Sequence, residues 1–330
     1  MEFMSSILRL NKVGALLLLM VVAFVISIFI GKLTIVSAQQ SQSDVQSITL
    51  GISPQILDVT ANPGEVIANT FRLTNASAGT IQIKTTPKNF TPLGEEGAVN
   101  LTEDDTSYAI ATWTSVSPAT TTIKSNETAD FEVVIDVPTD AEPGSHFGSV
   151  VFQTIPPEDD SAAAVVSQEI APVILVKIAG EVTETAEIEE FSSTQSFWSD
   201  EATISFISRI KNTGSAHFKP TGQIVIKNML GNEVKKLELS KENILPNSIR
   251  QITTDWTDFG FLIGNYSAEL TIVSDDGNNI QTSTTSFTVF PYQTVIPVAV
   301  IVGIIGFGLF KGRKRISLAM RALSGKDADK

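Results

Sequence analysis

The sequence predicts an all-β protein with two tandem β-sandwich domains, between an N-terminal signal helix and a C-terminal transmembrane helix. Three observations carry this prediction. Alternating apolar and polar runs recur from residue 48 to residue 290, which is the period of half-buried strands. The order of these runs and their turns repeats about 140 residues further on. Two long uncharged apolar runs flank the region, one near each end of the chain.

The first 38 residues have the features of a secretory signal. Arg9 and Lys12 precede a long apolar run, and a small-residue site ends at Ala38, so we expect cleavage between Ala38 and Gln39. The run is longer than is usual for a signal and Lys32 follows it, which leaves an uncleaved signal anchor as an alternative. A Gln- and Ser-rich linker, residues 39–47, leads to the first domain.

Alternating runs define the first domain, residues 48–182. Asn75-Ala76-Ser77-Ala78-Gly79 supplies turn residues between its first two runs, so these are expected to be neighbouring strands of one sheet. Pro138, which lacks an amide donor, closes a third run. Six or seven strands and no amphipathic helix are expected, which favours an immunoglobulin-like antiparallel sandwich. The clearest runs are 70–74, 81–84, 129–137, 147–152 and 172–178.

The second domain, residues 183–290, repeats this order. An alternating run ends at Lys211, an Asn-centred turn begins at Asn212, and a short run ending in Lys follows. The segment that starts at Gly264 parallels the one that starts at Gly144, and Asp275–Asn279 reads as a hairpin turn. The boundary between the domains is expected near Glu181–Glu190. The runs lie at 202–211, 224–227, 264–272 and 285–290.

The C-terminal apolar run predicts a membrane-spanning helix. Pro291–Phe310 contains 20 residues without a charge, enough to cross about 30 Å of hydrocarbon. Tyr292 stands where an interfacial aromatic residue is expected, and the basic tail, residues 311–330, is placed in the cytoplasm by its cations. A single-pass membrane protein with an extracellular middle section follows. The basic anchors after the run are Lys311, Arg313, Lys314 and Arg315.

Charge and composition exclude several classes of function. Residues 39–310 contain 13 Lys and Arg but 33 Asp and Glu, a net charge of −20, which disfavours nucleic acid and anionic lipid as partners of this section. The chain contains no cysteine, which excludes disulfides, thiol nucleophiles and Cys-ligated metals.

Residues for catalysis are scarce, and no enzyme activity, cofactor or metal is predicted. The two histidines, His146 and His217, are interpreted as surface residues of turns in different domains. Ser208 and Lys211 match a Ser-x-x-Lys pattern, but in a strand they point to opposite faces. Acidic clusters such as Glu103-Asp104-Asp105 lack the spacing of a calcium loop and are interpreted as solvated loops. Asn-x-Ser/Thr sites occur at Asn75, Asn89, Asn100, Asn126 and Asn265.

The whole layout resembles the WxL-interacting protein family of Gram-positive surface proteins. The resemblance covers about 240 residues and implies a peptidoglycan-binding first domain, a host-binding second domain, one membrane helix and a basic tail. It thus implies adhesion to cell-wall polymer or to wall-bound surface proteins. The segments that carry it are Asn62–Glu65, Phe71–Asn75, Trp113, Val137-Pro138, Glu142–Phe152, Lys211–Gly214, Leu245-Pro246 and Leu262–Tyr266.

Two non-catalytic functions follow from these features. The first is a membrane-anchored surface adhesin, with Trp113, Trp198 and Tyr108 as candidate stacking residues for a ligand, although packing inside the protein explains each ring equally well. The second is a membrane-tethered, chaperone-like assembly factor that binds surface proteins by strand addition to an exposed sheet edge. The second needs basic residues to anchor a client, and the first domain offers Arg72, Lys84, Lys88, Lys124 and Lys177.

Overall fold

A computed structural model describes residues 48–155, 167–194, 197–198, 203–257, 260, 262–273 and 280–323. All of them belong to one compact unit, Ser47–Lys330. The predicted signal segment, its Ala38–Gln39 cleavage site and the linker lie outside the described residues, as do most of the loop after Ile155 and the Asp275–Asn279 turn.

The described residues form nineteen strands, one short 3-10 helix at Ala111–Trp113 and one long α-helix. The strands are β1 Leu50–Ser53, β2 Ile56–Ala61, β3 Val66–Asn75, β4 Ile81–Leu93, β5 Ala98–Thr102, β6 Thr114–Ser117, β7 Thr120–Ile123, β8 Thr128–Asp136, β9 Gly144–Ile155, β10 Glu169–Ile170, β11 Val173–Ile178, β12 Ala186–Ser193, β13 Phe197–Trp198, β14 Ile204–Asn212, β15 Thr221–Asn228, β16 Glu233–Glu238, β17 Ile249–Trp256, β18 Gly264–Val273 and β19 Ile280–Val289. The α-helix, α1, is Tyr292–Leu323.

These strands form four sheets that pack as two sandwiches. The first sandwich has sheet I, in the order β1-β3-β8-β6, and sheet II, in the order β2-β11-β9-β4-β5 with β7 and β10 at its margins. The second sandwich has sheet III, β12-β14-β17, and sheet IV, β13-β19-β18-β15-β16. The fold class predicted from the sequence, all-β with tandem immunoglobulin-like sandwiches, is therefore confirmed.

Sheets II and IV are built alike, strand for strand. In sheet II, β11 lies between the parallel edge strand β2 and the antiparallel strand β9. In sheet IV, β19 lies between the parallel edge strand β13 and the antiparallel strand β18. The hairpin β4–β5 of sheet II corresponds to the hairpin β15–β16 of sheet IV. The repeat seen in the sequence is thus a repeat of topology.

The alternating runs place their apolar residues between the sheets. Phe131, Val133 and Ile135 of β8 are each 0% exposed, and they share one core with residues of β4, β9 and β11 from the opposite sheet. In the second sandwich, Phe206 of β14 and Phe287 of β19 meet edge to face, with ring centroids 5.6 Å apart. Burial of these faces supplies the main stabilising free energy of each sandwich.

One buried asparagine fixes the same corner in each sandwich. Asn75 is 0% exposed, and its amide nitrogen donates to the carbonyls of Gly79 at 2.8 Å and Ile123 at 3.0 Å. Asn212 is also 0% exposed, and it donates to the carbonyls of Ala216 at 2.8 Å and Ile244 at 2.9 Å. Two residues after each asparagine, a backbone N–H donates to its side-chain oxygen.

A second asparagine completes each corner. The carbonyl of Asn75 accepts from the backbone of Asn126 at 2.7 Å, and that of Asn212 accepts from Asn247 at 3.0 Å. Asn126 has φ 59° and Asn247 has φ 57°, a left-handed conformation that asparagine tolerates better than most residues. The Leu245–Ser248 segment is therefore a turn and corresponds to the turn around Asn126.

Two expectations from the sequence are wrong. β3 and β4 are strands, but they lie in different sheets, because the Asn75 corner carries the chain from sheet I to sheet II. An alternating pattern shows that a face is buried but not which sheet it belongs to. The first sandwich also has more than six or seven strands. Those missed are the short ones at its margins, such as β1 and β5, whose four or five residues hold too few alternations.

Two residues, Phe290 and Pro291, separate the end of β19 from the start of the C-terminal helix α1. Within the described part of the chain, no helix combines the length and apolar character needed to cross a membrane.

Candidate functional site: the sandwich junction and the free edge of sheet II

The second sandwich lies against the outer face of sheet II. Ile174 and Val176 of β11 belong to the core between the sheets, so Leu175 between them points to the opposite face. There it packs with Phe90 and Phe147 in a separate cluster that Leu245 of the second sandwich joins. The outer face of sheet II is therefore an interface within the protein.

A buried polar network forms one end of this junction. Ser145 Oγ lies 2.6 Å from His217 Nδ1, and His217 Nε2 lies 3.0 Å from Asp58 Oδ1. The backbone N–H of His217 donates to Ser145 Oγ at 2.5 Å. Lys219 Nζ donates to the other oxygen of Asp58 at 3.0 Å. Four side chains from the two sandwiches are thus linked to one another by hydrogen bonds.

The network fixes the tautomer of His217. Burial lowers the pKa of His217, and the hydrogen bond and charge of Asp58 only partly offset this, so the ring is neutral near pH 7. The carboxylate only accepts, so Nε2 carries the proton and Nδ1 accepts from the Ser145 hydroxyl. Partial burial raises the pKa of Asp58, but hydrogen bonds from His217 and Lys219 outweigh it, so this pKa lies below its ordinary value.

Serine, histidine and aspartate in contact suggest a hydrolytic triad, but the geometry does not serve one. Ser145 is 1% and His217 is 2% exposed, so a substrate cannot reach the hydroxyl. The hydroxyl oxygen also accepts the His217 backbone N–H, which lowers its nucleophilicity. An activated serine needs access and room for a developing oxyanion. This network is therefore a structural clamp between the sandwiches.

Gly144 allows the clamp to form. It has φ 127°, and a Cβ on it would lie 2.8 Å from the carbonyl oxygen of Ser215. The backbone N–H of Ser145 donates to that same carbonyl at 3.0 Å. Only glycine accommodates both this backbone conformation and this approach.

The centre of the junction is apolar with a polar margin. The ring of Tyr108 stacks on Phe147 with centroids 5.1 Å apart, and Phe147 stacks on Phe90 at 4.9 Å. The hydroxyl of Tyr108 accepts from the side-chain amide of Asn247 at 3.0 Å. Tyr108, a predicted ligand-stacking residue, therefore packs within the junction.

The β4–β5 turn forms the other end of the junction. Glu95 binds Arg209 through two hydrogen bonds, at 2.6 and 2.7 Å, which lower the pKa of Glu95 and raise that of Arg209. The carbonyl of Glu95 accepts from the backbone N–H of Gln251 at 2.8 Å. The second sandwich thus contacts sheet II from β2 to the β4–β5 turn.

The strand β5 leaves a free, uncharged edge. In the part of the chain that the structure describes, β5 pairs only with β4. Its sequence AVNLT carries no charge, and Val99 and Leu101 extend the apolar cluster of the outer face. The equivalent edge strand β16, EVKKLE, carries four charges. Charges, lysine above all, protect an edge strand against pairing with other chains.

A cleft with a mixed polar and apolar lining adjoins the end of β5. It measures about 300 Å³ and is lined by residues that include Pro87, Lys88, Asn89, Thr102, Glu103 and Thr112. Asn89 shapes it, because its side-chain oxygen accepts from the backbone of Ile110 and Ala111, and its amide donates to the carbonyl of Asp104. Asn75 and Asn89, two of the five Asn-x-Ser/Thr sites, are thus buried structural residues.

The other predicted stacking residues do not converge on one ligand site. Trp113 is half-buried and lies 4.8 Å, centroid to centroid, from His146. His146 and Phe147 are consecutive in β9 and face opposite sides of sheet II, so Trp113 and Tyr108 are on opposite sides too. The backbone of Trp198 lies in β13, beside Val289 of β19. Its side chain lies outside the described residues, as do those of Arg313, Lys314 and Arg315.

The interpretation of both histidines as surface residues is wrong. His146 is 6% and His217 is 2% exposed, because the ring of Trp113 lies against His146 in β9 and the first sandwich covers His217. Nε2 of His146 donates to the carbonyl of Glu142 at 2.9 Å. Sequence distance hides the clamp, since 159 residues separate Asp58 from His217.

Four of the five basic residues named for anchoring a client are paired with carboxylates. Lys177 pairs with Glu184 at 2.7 Å, and Lys88 pairs with Glu103 at 3.0 Å. Arg72 and Lys124 also have carboxylate partners. Ser208 is buried in β14 and Lys211 is not, as expected for opposite faces. Among the described residues, no group of three potential ligands could hold a metal ion.

No protein-family model matches the chain, and no curated protein matches its sequence. Solved structures with a similar fold include the class 5 fimbrial chaperone CfaA, 16% identical over 73% of this chain and 99% of that chain, with a TM-score of 0.37. The E. coli chaperone DraB is 12% identical over 73% of this chain and 97% of that chain, with a TM-score of 0.36. These likenesses concern the fold alone.

Proposed function

We propose that the chain is a non-catalytic surface-binding protein whose first sandwich pairs an extended segment of a surface protein with the free edge of β5. The observation that carries this proposal is the contrast between two equivalent edges. β5 is uncharged and paired on one side, whereas β16 carries Lys235, Lys236 and two glutamates. An edge strand without charges is a template for a further strand.

The surroundings of β5 favour this mode of binding. A segment added beside β5 would form main-chain hydrogen bonds and place alternate side chains next to Val99 and Leu101. The exposed side chain of Leu93, 56% exposed, lies at the start of the same hairpin. The contacts of Glu95 with Arg209 and Gln251 hold the β4–β5 turn against the second sandwich, which lowers the ordering cost of binding at the adjacent edge.

A test compares two matched substitutions in the full-length chain, purified in mild detergent. Asn100→Lys places a cation on β5, and Val234→Lys places one on β16; both residues are exposed. Both variants are sedimented with cell-wall fragments of the source organism, either untreated or stripped of protein. We expect Asn100→Lys to weaken binding to untreated fragments by about tenfold or more, which corresponds to about 1.4 kcal/mol. Val234→Lys should bind as the wild type does. Equal binding by all three proteins would contradict the proposal.

Direct recognition of wall polymer is the second candidate, and the cleft beside β5 favours it, because its lining combines apolar surface with hydrogen-bonding groups. Its hydroxyl, amide and charged groups, from Asn89, Thr102 and Lys88 among others, suit a sugar polymer. The WxL-interacting resemblance implies the same ligand. Binding to stripped fragments that Asn100→Lys leaves unchanged would support this candidate.

Adhesion and assembly differ in how long the partner stays bound. An adhesin retains its partner, whereas an assembly factor releases a client once the client reaches its final structure. The paired states of Lys88 and Lys177 mean that a client carboxylate would have to displace Glu103 or Glu184 to reach them. Pulse-chase cross-linking separates the two functions, because only an assembly factor yields cross-links that decay during the chase.

The membrane location belongs to the same proposal and rests on the sequence. The uncharged run Pro291–Phe310, followed by Lys311 and further cations, would anchor the chain with the sandwiches outside the cell. The full-length chain should then stay with the membrane pellet after an alkaline wash. Release into the supernatant would contradict the anchor and leave the β5 proposal standing.

A further inference from the structure

Three large apolar side chains are exposed at one end of the second sandwich. Met229 is 70%, Leu230 is 78% and Ile263 is 49% exposed. Single exposed apolar residues are normal on a protein surface, but a contiguous group marks an interaction site. We call these three residues the apolar tip.

Strand register brings the apolar tip together. Asn228, the last residue of β15, is opposite Tyr266, and Gly264, the first residue of β18, is opposite Val289. The turn after β15, the loop before β18 and the end of β19 therefore share one end of sheet IV. A Cβ on Gly264 would lie 3.2 Å from Cε of Met229, which places Met229 beside the loop that carries Ile263.

The turn that carries Met229 and Leu230 is well formed. The side-chain oxygen of Asn228 accepts from the backbone N–H groups of Leu230 and Asn232, both at 3.0 Å. Gly231 adopts φ 80°, which glycine does without strain. The two apolar side chains are thus held outward by an ordered turn.

The same end of the sandwich continues directly into α1. Tyr292 is the first residue of α1, and only Phe290 and Pro291 separate it from the end of β19. The three Cα–Cα steps from Val289 to Tyr292 span at most about 11 Å. The exposed apolar side chains of α1 lie on every side of the helix, an arrangement typical of helices surrounded by apolar material. They are Ile296, Val298, Val300, Ile301, Val302, Ile304, Ile305, Phe307 and Phe310.

We propose that the apolar tip inserts into the interfacial layer of a lipid bilayer, beside the point where α1 enters it. This rests on the proposed membrane anchor. With α1 in lipid, the short connection keeps the end of sheet IV at the bilayer surface, where Met229, Leu230 and Ile263 meet the boundary between headgroups and acyl chains. The exposed ring of Tyr292 suits the same depth. The second sandwich then stands fixed on the membrane.

The absence of cysteine allows a clean test in the full-length chain. Leu230→Cys carries an environment-sensitive fluorophore, and Val66→Cys, 60% exposed on the first sandwich, carries the same label as a matched control. Both proteins are reconstituted into phosphatidylcholine vesicles, with or without a lipid that bears a quencher on its acyl chain. We expect a blue shift and quenching at position 230, and neither at position 66.

Flotation of the vesicles separates the two proposals that are at stake. Protein that floats but shows a water-like, unquenched label at position 230 overturns the insertion of the tip and keeps the anchor. Protein that does not float overturns the anchor and, with it, the insertion. A blue shift without lipid quenching, growing with protein concentration, also overturns the insertion, since a second copy then covers the tip.

Discussion

The two sandwiches share their construction and differ in their edges. In each sandwich a buried asparagine, Asn75 or Asn212, fixes one corner of the chain. Each also has a hairpin at one margin of its larger sheet. The outer strand of that hairpin is uncharged in the first sandwich and carries four charges in the second. The same topology thus leaves one edge uncharged and places charges on the other, and the proposed function assigns binding to the first sandwich for this reason.

The largest effect is expected from the corner that the sandwiches share. Asn75→Ala and Asn212→Ala each remove three hydrogen bonds and leave buried carbonyls unpaired, so each should lower the free energy of unfolding of its own sandwich by about 3 kcal/mol or more. Chemical denaturation followed by hydrogen exchange assigns the loss to one sandwich. Asn100 is exposed, so Asn100→Ala is the control and should change the free energy of unfolding by less than about 0.5 kcal/mol. If either substitution lowered the free energy of unfolding only slightly, the two corners would not be equivalent.

The clamp should show an intermediate effect that depends on pH. The unfolded chain protonates His217 near pH 6.5, whereas the folded chain holds it neutral at lower pH because its pKa is lowered. The unfolded state then binds more protons, so stability falls as the pH falls below that value. His217→Gln should lower the unfolding midpoint at pH 7.5 and reduce its further fall at pH 5.5. An identical pH dependence in the variant would contradict the neutral, buried ring.

Removing two of the four charges of β16 should make the two edges more alike. Lys236→Val with Glu238→Thr leaves the strand less charged and exposes a second template for pairing. Both residues are exposed, so the free energy of unfolding should change by only about 0.5 kcal/mol. Sedimentation velocity should show self-association that grows with concentration. A variant that stays monomeric would mean that charge does not explain the difference between the edges.

The smallest effect is expected at the β4–β5 turn. Glu95→Gln weakens the contact with Arg209, whose partly exposed groups are screened by solvent. The backbone bond from Gln251 to Glu95 remains, so global stability should hardly change. Hydrogen exchange of β5 should become faster in the variant if this contact holds the edge in place. Unchanged exchange would show that the turn is fixed by other contacts.

The features that could be predicted from the sequence are those set by neighbouring residues, namely the long strands and the turns. Alternation identified the long strands around Phe131 and Ile204, and the turn chemistry pointed to both Asn corners. It could not assign β3 and β4 to different sheets, since the period is the same in either case. It also missed β5, whose five residues alternate too briefly to stand out.

The junction could not be predicted because its partners are remote in the chain. Ser145 and His217 are 72 residues apart, and nothing local indicates that two turns from different sandwiches will meet. Gly144 was the available sign, since a glycine that precedes a buried run often marks a close approach of another backbone. Tyr108 illustrates the same limit, because its contact with Asn247 spans 139 residues.

Site-specific photo-cross-linking in the source organism tests the central claim most directly. A photoreactive residue replaces Asn100 on β5 or Val234 on β16 in the full-length chain. We predict protein adducts from position 100 and none from position 234, because only the uncharged edge accepts an added strand. Equal adducts at both positions, or none at position 100, would contradict the account.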